Sequence, residues 1–210
     1  MRPMNNLIER LRQRLGQPLP GETAQYRMAP PARPSTADAQ SGVANFKQGA
    51  VLLYLFPHDS EWRIVLMKRT ADAGPHSGQI SIPGGQVESG ENHLQAALRE
   101  FSEETGVRVE HEQLLGQLSA LHIPVSRFLV RPFVAYAATR PVFNPDPVEV
   151  AAIIEMPLTV LLDDTSTRHC TMHIRGRNVE RVPYFDVDGH CVWGATAMIL
   201  SELKSLLLAR

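Results

Sequence analysis

Two runs dense in apolar, β-branched and aromatic residues, 49–56 and 62–69, flank the polar stretch Pro57-His58-Asp59-Ser60 and read as strands joined by a turn. Leu94, Ala97, Leu98 and Phe101 then recur at i, i+3, i+4 and i+7, which predicts a helix over 90–105 with that stripe facing a core. Apolar runs at 114–121, 128–137 and 148–156 read as further strands, separated by signals such as Asn144-Pro145-Asp146-Pro147. Pro157 opens a short helix over 157–163. A late hairpin of 171–174 and 182–186 turns around Gly176-Arg177-Asn178. The segment 194–208 reads as a terminal helix, with Ala197, Leu200, Leu203, Leu206 and Leu207 on its apolar face. Two long helices around a mixed sheet predict an α/β fold, an α/β/α sandwich.

The N-terminus has a different pattern. Leu7, Ile8, Leu11 and Leu15 share one helical face, with Arg10, Arg12 and Arg14 around the others. A basic amphipathic helix suits a transit peptide or a membrane surface, but Glu9 and the lack of a Ser-rich tract favour one that docks on the domain or a partner subunit. Pro18, Pro20, Pro30, Pro31 and Pro34 then suggest an extended arm of polyproline type, able to wrap the core or cross to a second copy in a homodimer. The expected organisation is an N-terminal helix and arm over 1–40 and one domain over 41–210.

Composition narrows the functional classes. A net charge of −1 on 210 residues offers no basic face for nucleic acid. No apolar run approaches the roughly 18 residues that span a bilayer. Cys170 and Cys191 are too few and too far apart for a zinc or redox motif. They allow one bridge, but free buried thiols in a cytoplasmic protein are the simpler expectation.

The chemistry concentrates around the 90–105 helix. Glu100, Glu103 and Glu104, at i, i+3 and i+4, crowd one side of it. Like charges at that spacing cost about 0.2–0.5 kcal/mol per i,i+4 pair, and Arg99 is their only basic neighbour in sequence. Carboxylate oxygen suits a hard divalent cation, which would offset the repulsion. Pro83-Gly84-Gly85 precedes the helix as a loop able to approach a ligand closely, Ser89-Gly90-Glu91 marks a turn and helix start, and Thr105-Gly106 a stop. Arg69, at the end of a predicted strand, suits a phosphate contact. His76 and Gln79, in the loop leading to Gly84, are candidates to line a substrate cleft. His122 is a candidate general base, Ser126 and Arg127 candidates to shape a pocket, and Glu149 and Glu155 downstream acids able to complete a metal shell. No Gly-x-Ser-x-Gly elbow is present, so attack by water is the simplest chemistry.

Gly85, five residues, Glu91, seven residues, then Arg99-Glu100-Phe101-Ser102-Glu103-Glu104-Thr105-Gly106-Val107 resembles the Nudix box at every defining position. The resemblance implies a Nudix-type α/β/α sandwich and an Mg²⁺- or Mn²⁺-dependent hydrolase of a nucleoside diphosphate linked to another group. It makes Glu100, Glu103 and Glu104 the metal-binding carboxylates, with the Gly84 carbonyl as a further ligand. Arg99 belongs to the implied catalytic set, Gly85 to the substrate loop, and Glu91 and Arg99 would brace loop against helix. The segment Val65-Leu66-Met67-Lys68-Arg69-Thr70-Ala71, followed by Gly74-Pro75-His76-Ser77-Gly78-Gln79-Ile80-Ser81-Ile82-Pro83-Gly84-Gly85, resembles the signature of coenzyme A diphosphatase-like members. Gly74 stands where many of these carry Arg, and Ile82 replaces the usual Phe. The signature implies coenzyme A or an acyl derivative as substrate, whereas Gly74 in place of Arg favours another diphosphate. ADP-ribose, a dinucleoside polyphosphate or an oxidised nucleotide are alternatives, and a non-catalytic nucleotide-sensing module is a third.

Overall fold

The computed structural model describes residues 2–31, 33–35, 46–71, 78–174 and 176–209. In chain order the elements are α1 (Arg2–Leu15), α2 (Gly21–Gln25), β1 (Lys47–His58), β2 (Glu61–Arg69), β3 (Ile80–Ser81), β4 (Gly84–Gln86) and α3 (His93–Thr105). Then come β5 (Leu114–Gln117), β6 (Leu121–Ile123), β7 (Phe128–Tyr136), β8 (Val150–Pro157) and α4 (Leu158–Leu162). The chain ends with β9 (Thr167–Ile174), β10 (Arg177–Val187), β11 (His190–Trp193) and α5 (Gly194–Leu208). No described helix is long and apolar enough to cross a membrane.

β1 is the axis of a mixed eight-stranded sheet. It lies parallel to β7 and antiparallel to β2 and β4, while β8 and β3 extend β2, and β5 and β6 flank β7. Its unbroken apolar run reflects burial on both faces, as expected of a central strand. Leu52, Tyr54 and Phe56 meet Ala97 and Phe101 of α3, whereas Leu53 and Leu55 join the cluster of α1 and α5 on the other face. The β1–β2 hairpin turns on Asp59 and Ser60, with φ of 51° and 64°. That double left-handed turn matches the strand twist.

A splay in this sheet creates the site. β1 pairs with β2 only over Leu55–His58, and β4 takes up its other half, opposite Gly49, Ala50 and Val51. β3 pairs with the far end of β2 at Met67 and Lys68. The β3–β4 segment therefore wedges between the diverging strands, and the Leu52 N–H donates to Pro83 O at 2.9 Å.

Three expectations change. The strand at 114–121 divides into β5 and β6, because Pro132 in the facing strand has no N–H to continue the ladder. The α3 helix starts at His93, where Asn92 and Gln95 form a reciprocal capping box with bonds of 3.0 and 2.8 Å. The arm is not extended throughout: the proline-free stretch 21–28 coils into α2 and a 3₁₀ turn that bury Ala24, Gln25 and Met28. The expected domain boundary at 40/41 lies outside the described residues.

Helix α5 locks this arm down. Buried Glu202 accepts the Gly21 N–H (3.2 Å), the Ser119 N–H (3.2 Å) and the Gln25 side-chain amide (2.8 Å). Ser201 donates its hydroxyl to Ala24 O at 2.7 Å. Ile8 and Leu11 of α1 enter the same core, and the Arg14 guanidinium caps the last carbonyls of α5 at Leu206 and Ala209. Strands β9, β10 and β11 form a separate antiparallel sheet that buries Phe185, Val187 and Val192 against this side. Cys170 and Cys191 are free but half-buried rather than fully buried, and burial together with Cys170 pushes the Cys191 thiol up to about 12.

Candidate active site

Glu104 lies in the same helical row as Ala97 and Phe101 and is only 2% exposed. Its Oε2 accepts the Gly84 N–H at 2.8 Å, and its Oε1 lies 3.4 Å from the Arg69 guanidinium. Burial pushes its carboxyl up to about 8. The Gly84 bond and Arg69 oppose that rise, and the nearby charges of Glu100 and Glu149 add to it. Glu100 is likewise raised, first by burial, against the pull of Arg99 and with the help of Glu103 and Glu149.

The three carboxylates do not share one open face. Glu103 and Glu104 flank Glu100 on either side, about 100° apart around the helix. One is therefore turned into the sheet while the Glu103 side chain is 60% exposed. Arg99 joins most of the acids. Its Nε and Nη2 hold both oxygens of Glu91 at 3.1 and 2.8 Å, and its Nη1 reaches Glu100 and Glu103 at 3.0 Å each. Nη2 also donates to Gln86 O at 3.3 Å, and Glu91 accepts the Glu88 N–H at 2.7 Å. Arg99 and Glu91 together fasten α3 to the chain leaving β4.

The two loop glycines are small for different reasons. Gly84 has φ of 147°, and a Cβ there would overlap the β1 backbone at Ala50 and Val51. A Cβ on Gly85 would instead overlap the Glu100 carboxylate. Gly84→Ala is therefore expected to lower Tm sharply. Gly85→Ala displaces only a side-chain end, so it leaves Tm near wild type and lowers turnover. Melting curves and kinetics on the two variants test this, and equal loss of stability in both would contradict it.

Arg69 bridges Glu104 and Glu149, the latter at 3.8 Å, and its backbone N–H donates to Gln79 O at 3.0 Å. Gln79 thus lies beside Arg69, whereas His76 lies outside the described residues. The two downstream acids diverge. Glu149 leads into β8, and its carbonyl accepts the Thr70 N–H at 3.0 Å, so strand pairing delivers it to the site. Glu155 sits further along the same strand with His58 and Arg140. Spacing in sequence carries no signal for that difference, because the β2–β8 register decides it. His122 belongs to β6, with β7 and β1 between it and β4, so it is roughly 14 Å from the glycine loop at ordinary strand spacing.

Among the described residues no three His, Cys, Asp or Glu side chains converge into a ready metal cage. The donor chemistry nevertheless fits a hard divalent cation. Glu100 and Glu104 are carboxylates whose burial exceeds the compensation their cationic and N–H partners provide, and the exposed Glu103 is able to swing off Arg99. A cavity of about 450 Å³ between Arg27, Asp164 and Lys204 shares no lining residue with this cluster.

Residues 46–169 match the NUDIX domain family. The chain is 34% identical over 159 residues to the uncharacterized Nudix hydrolase NudL of Pectobacterium atrosepticum, covering 75% of this chain and 81% of that one. Nudix hydrolase 15, mitochondrial, of Arabidopsis thaliana is 32% identical over 174 residues, 78% of this chain and 60% of the plant protein. In three dimensions a MutT/nudix family protein from Enterococcus faecalis aligns with a TM-score of 0.55 at 15% identity, over 96% of this chain and 73% of that one. That likeness shows the shared fold. With the box glutamates set against a glycine loop in the splay of a mixed sheet, the chain belongs to the Nudix hydrolases, pyrophosphatases of nucleoside diphosphates linked to another moiety.

Proposed function

We propose that this enzyme is a divalent-metal-dependent diphosphatase acting on coenzyme A or its acyl derivatives, releasing phosphopantetheine and adenosine 3′,5′-bisphosphate. The observation that carries the diphosphatase chemistry is the pair of buried Glu104 and partly buried Glu100, set against the Gly84–Gly85 loop with both carboxyls raised. The coenzyme A assignment is supported by the segment around Arg69 and the run into Pro83-Gly84-Gly85, of which Gly74 and His76 lie outside the described residues.

Glu100, Glu104 and Glu103, with the Gly84 carbonyl, would hold Mg²⁺ or Mn²⁺. When bound, such an ion polarises phosphate oxygens and lowers the pKa of water. Arg99, fixed by Glu91, keeps the helix and loop in register. Arg69 presents a guanidinium beside Glu104 for a phosphate oxygen, and Glu149 balances its charge in the free enzyme. Catalysis then depends mainly on placement and charge.

The pH dependence has a defined sign. Unfolded, the Glu104 carboxyl loses its proton near its ordinary 4.5; folded, it keeps the proton until about 8. The folded chain holds more protons across that window, so Glu104 favours folding fully below pH 4.5 and loses that contribution as pH climbs to 8. A metal ion competes for the same oxygen, so the Mg²⁺-induced rise in Tm should grow from pH 6 to pH 8. A constant or shrinking rise contradicts the assignment.

The direct test is hydrolysis of coenzyme A, acetyl-coenzyme A, ADP-ribose, NADH and a diadenosine polyphosphate with Mg²⁺ or Mn²⁺, with products identified by mass spectrometry. Coenzyme A leading by about ten-fold or more in kcat/KM supports the proposal. A lead by ADP-ribose or another nucleotide moves the substrate and keeps the chemistry. No metal-stimulated cleavage of any of them removes it.

A further inference from the structure

Coenzyme A carries a phosphate monoester on its ribose that approaches a charge of −2 near neutrality. The cations at the carboxylate cluster are already engaged: Arg99 with Glu91, Glu100 and Glu103, and Arg69 with Glu104 and Glu149. A second phosphate group needs other partners.

Such partners lie at the opposite end of β4. The place a Gly49 side chain would occupy is 3.1 Å from the Phe128 ring and 3.3 Å from the Gly85 carbonyl oxygen. Gly49 is buried under the partly buried Phe128 ring, which packs on the cluster of α1 and α5, so the ring and the glycine loop meet at the same point of β1. Lys47 pairs with Phe128 across β1 and β7, and its ammonium lies 5.7 Å from the ring centroid. Its backbone N–H donates to Arg127 O at 2.7 Å, so Arg127, also exposed, is its backbone neighbour at this edge. Among the described residues neither has a carboxylate partner. Arg127 adopts φ of 56°, a conformation that Gly or Asn takes more easily, so the turn itself does not call for an arginine.

We infer that Phe128, Lys47 and Arg127 form the subsite for the nucleoside end of the substrate, with the ring stacked on the base and the two cations on the ribose phosphate. Stacking on an aromatic face tolerates any base, while the cations read the extra phosphate. The inference rests on the coenzyme A reading above and adds to it the residues that distinguish coenzyme A from a substrate lacking the ribose phosphate.

The test compares coenzyme A with dephospho-coenzyme A, alike except for that group. Wild type should prefer coenzyme A, mainly through KM. The double variant Lys47→Gln/Arg127→Gln should reduce that preference roughly ten- to a hundred-fold, as expected for losing charged hydrogen bonds. Lys47→Arg/Arg127→Lys should restore much of it, and Phe128→Leu should raise KM for both substrates together. Equal use of the two substrates by wild type, or a preference that survives the double variant, overturns the subsite while coenzyme A cleavage stands. Cleavage of neither substrate alongside rapid cleavage of another diphosphate overturns the coenzyme A reading and this subsite with it.

Discussion

Glu104→Gln should lower kcat by roughly a hundred- to a thousand-fold while leaving the fold intact. The amide keeps the volume of the side chain and an oxygen for the Gly84 N–H, so the loop stays anchored. What disappears is the ability to give up a proton, and with it the anionic oxygen offered to a divalent cation beside Arg69. Without metal the buried carboxyl keeps its proton up to about pH 8, so over that range the amide replaces one neutral group by another. Tm without metal should therefore stay near wild type, and the Mg²⁺-induced rise should shrink. Activity close to wild type would remove Glu104 from the site.

The largest effect on stability is expected at Glu202, far from the chemistry. Glu202→Ala removes the acceptor for two backbone N–H groups and the Gln25 amide, inside a region with no exposure to solvent at that residue. Stranding buried donors costs roughly 1–3 kcal/mol apiece, and a net loss of about 3–5 kcal/mol is expected once the site relaxes. For a chain of this size that is a Tm drop on the order of 10 °C. Glu202→Gln retains the oxygen side but sets one amide against another at Gln25, so it should fall between. Denaturant titration of the three proteins separates these outcomes. A Glu202→Ala protein as stable as wild type would show that water replaces the carboxylate and that the arm is held by its apolar contacts alone.

What the sequence reveals, and what it hides, follows from the range of each interaction. Periodicity over a few residues marks α3, α5 and most strands, since helical and strand faces are local properties of the chain. The box glutamates and the glycines are legible for the same reason. Their division of labour is not. Whether Glu104 is buried and Glu103 exposed depends on which side of α3 meets β1, a tertiary fact. Glu149 and Glu155 look equivalent in sequence and are separated only by the register of β8 on β2. The proline-flanked helix α2 escaped because prolines suggest extension, while Glu202, more than 170 residues away, supplies its anchoring bonds.

The splay between β1 and β2 has a consequence for motion. Two amide protons record the state of the glycine loop: that of Leu52, given to Pro83 O, and that of Val87, given to Gln48 O at 2.9 Å. Any opening of the loop to admit or release a ligand must break such bonds, so their hydrogen exchange acts as a clock for the loop. The β1 amides toward the β7 side lie outside this rhythm, and the ratio of the two exchange rates measures how often the wedge lifts without the sheet unfolding.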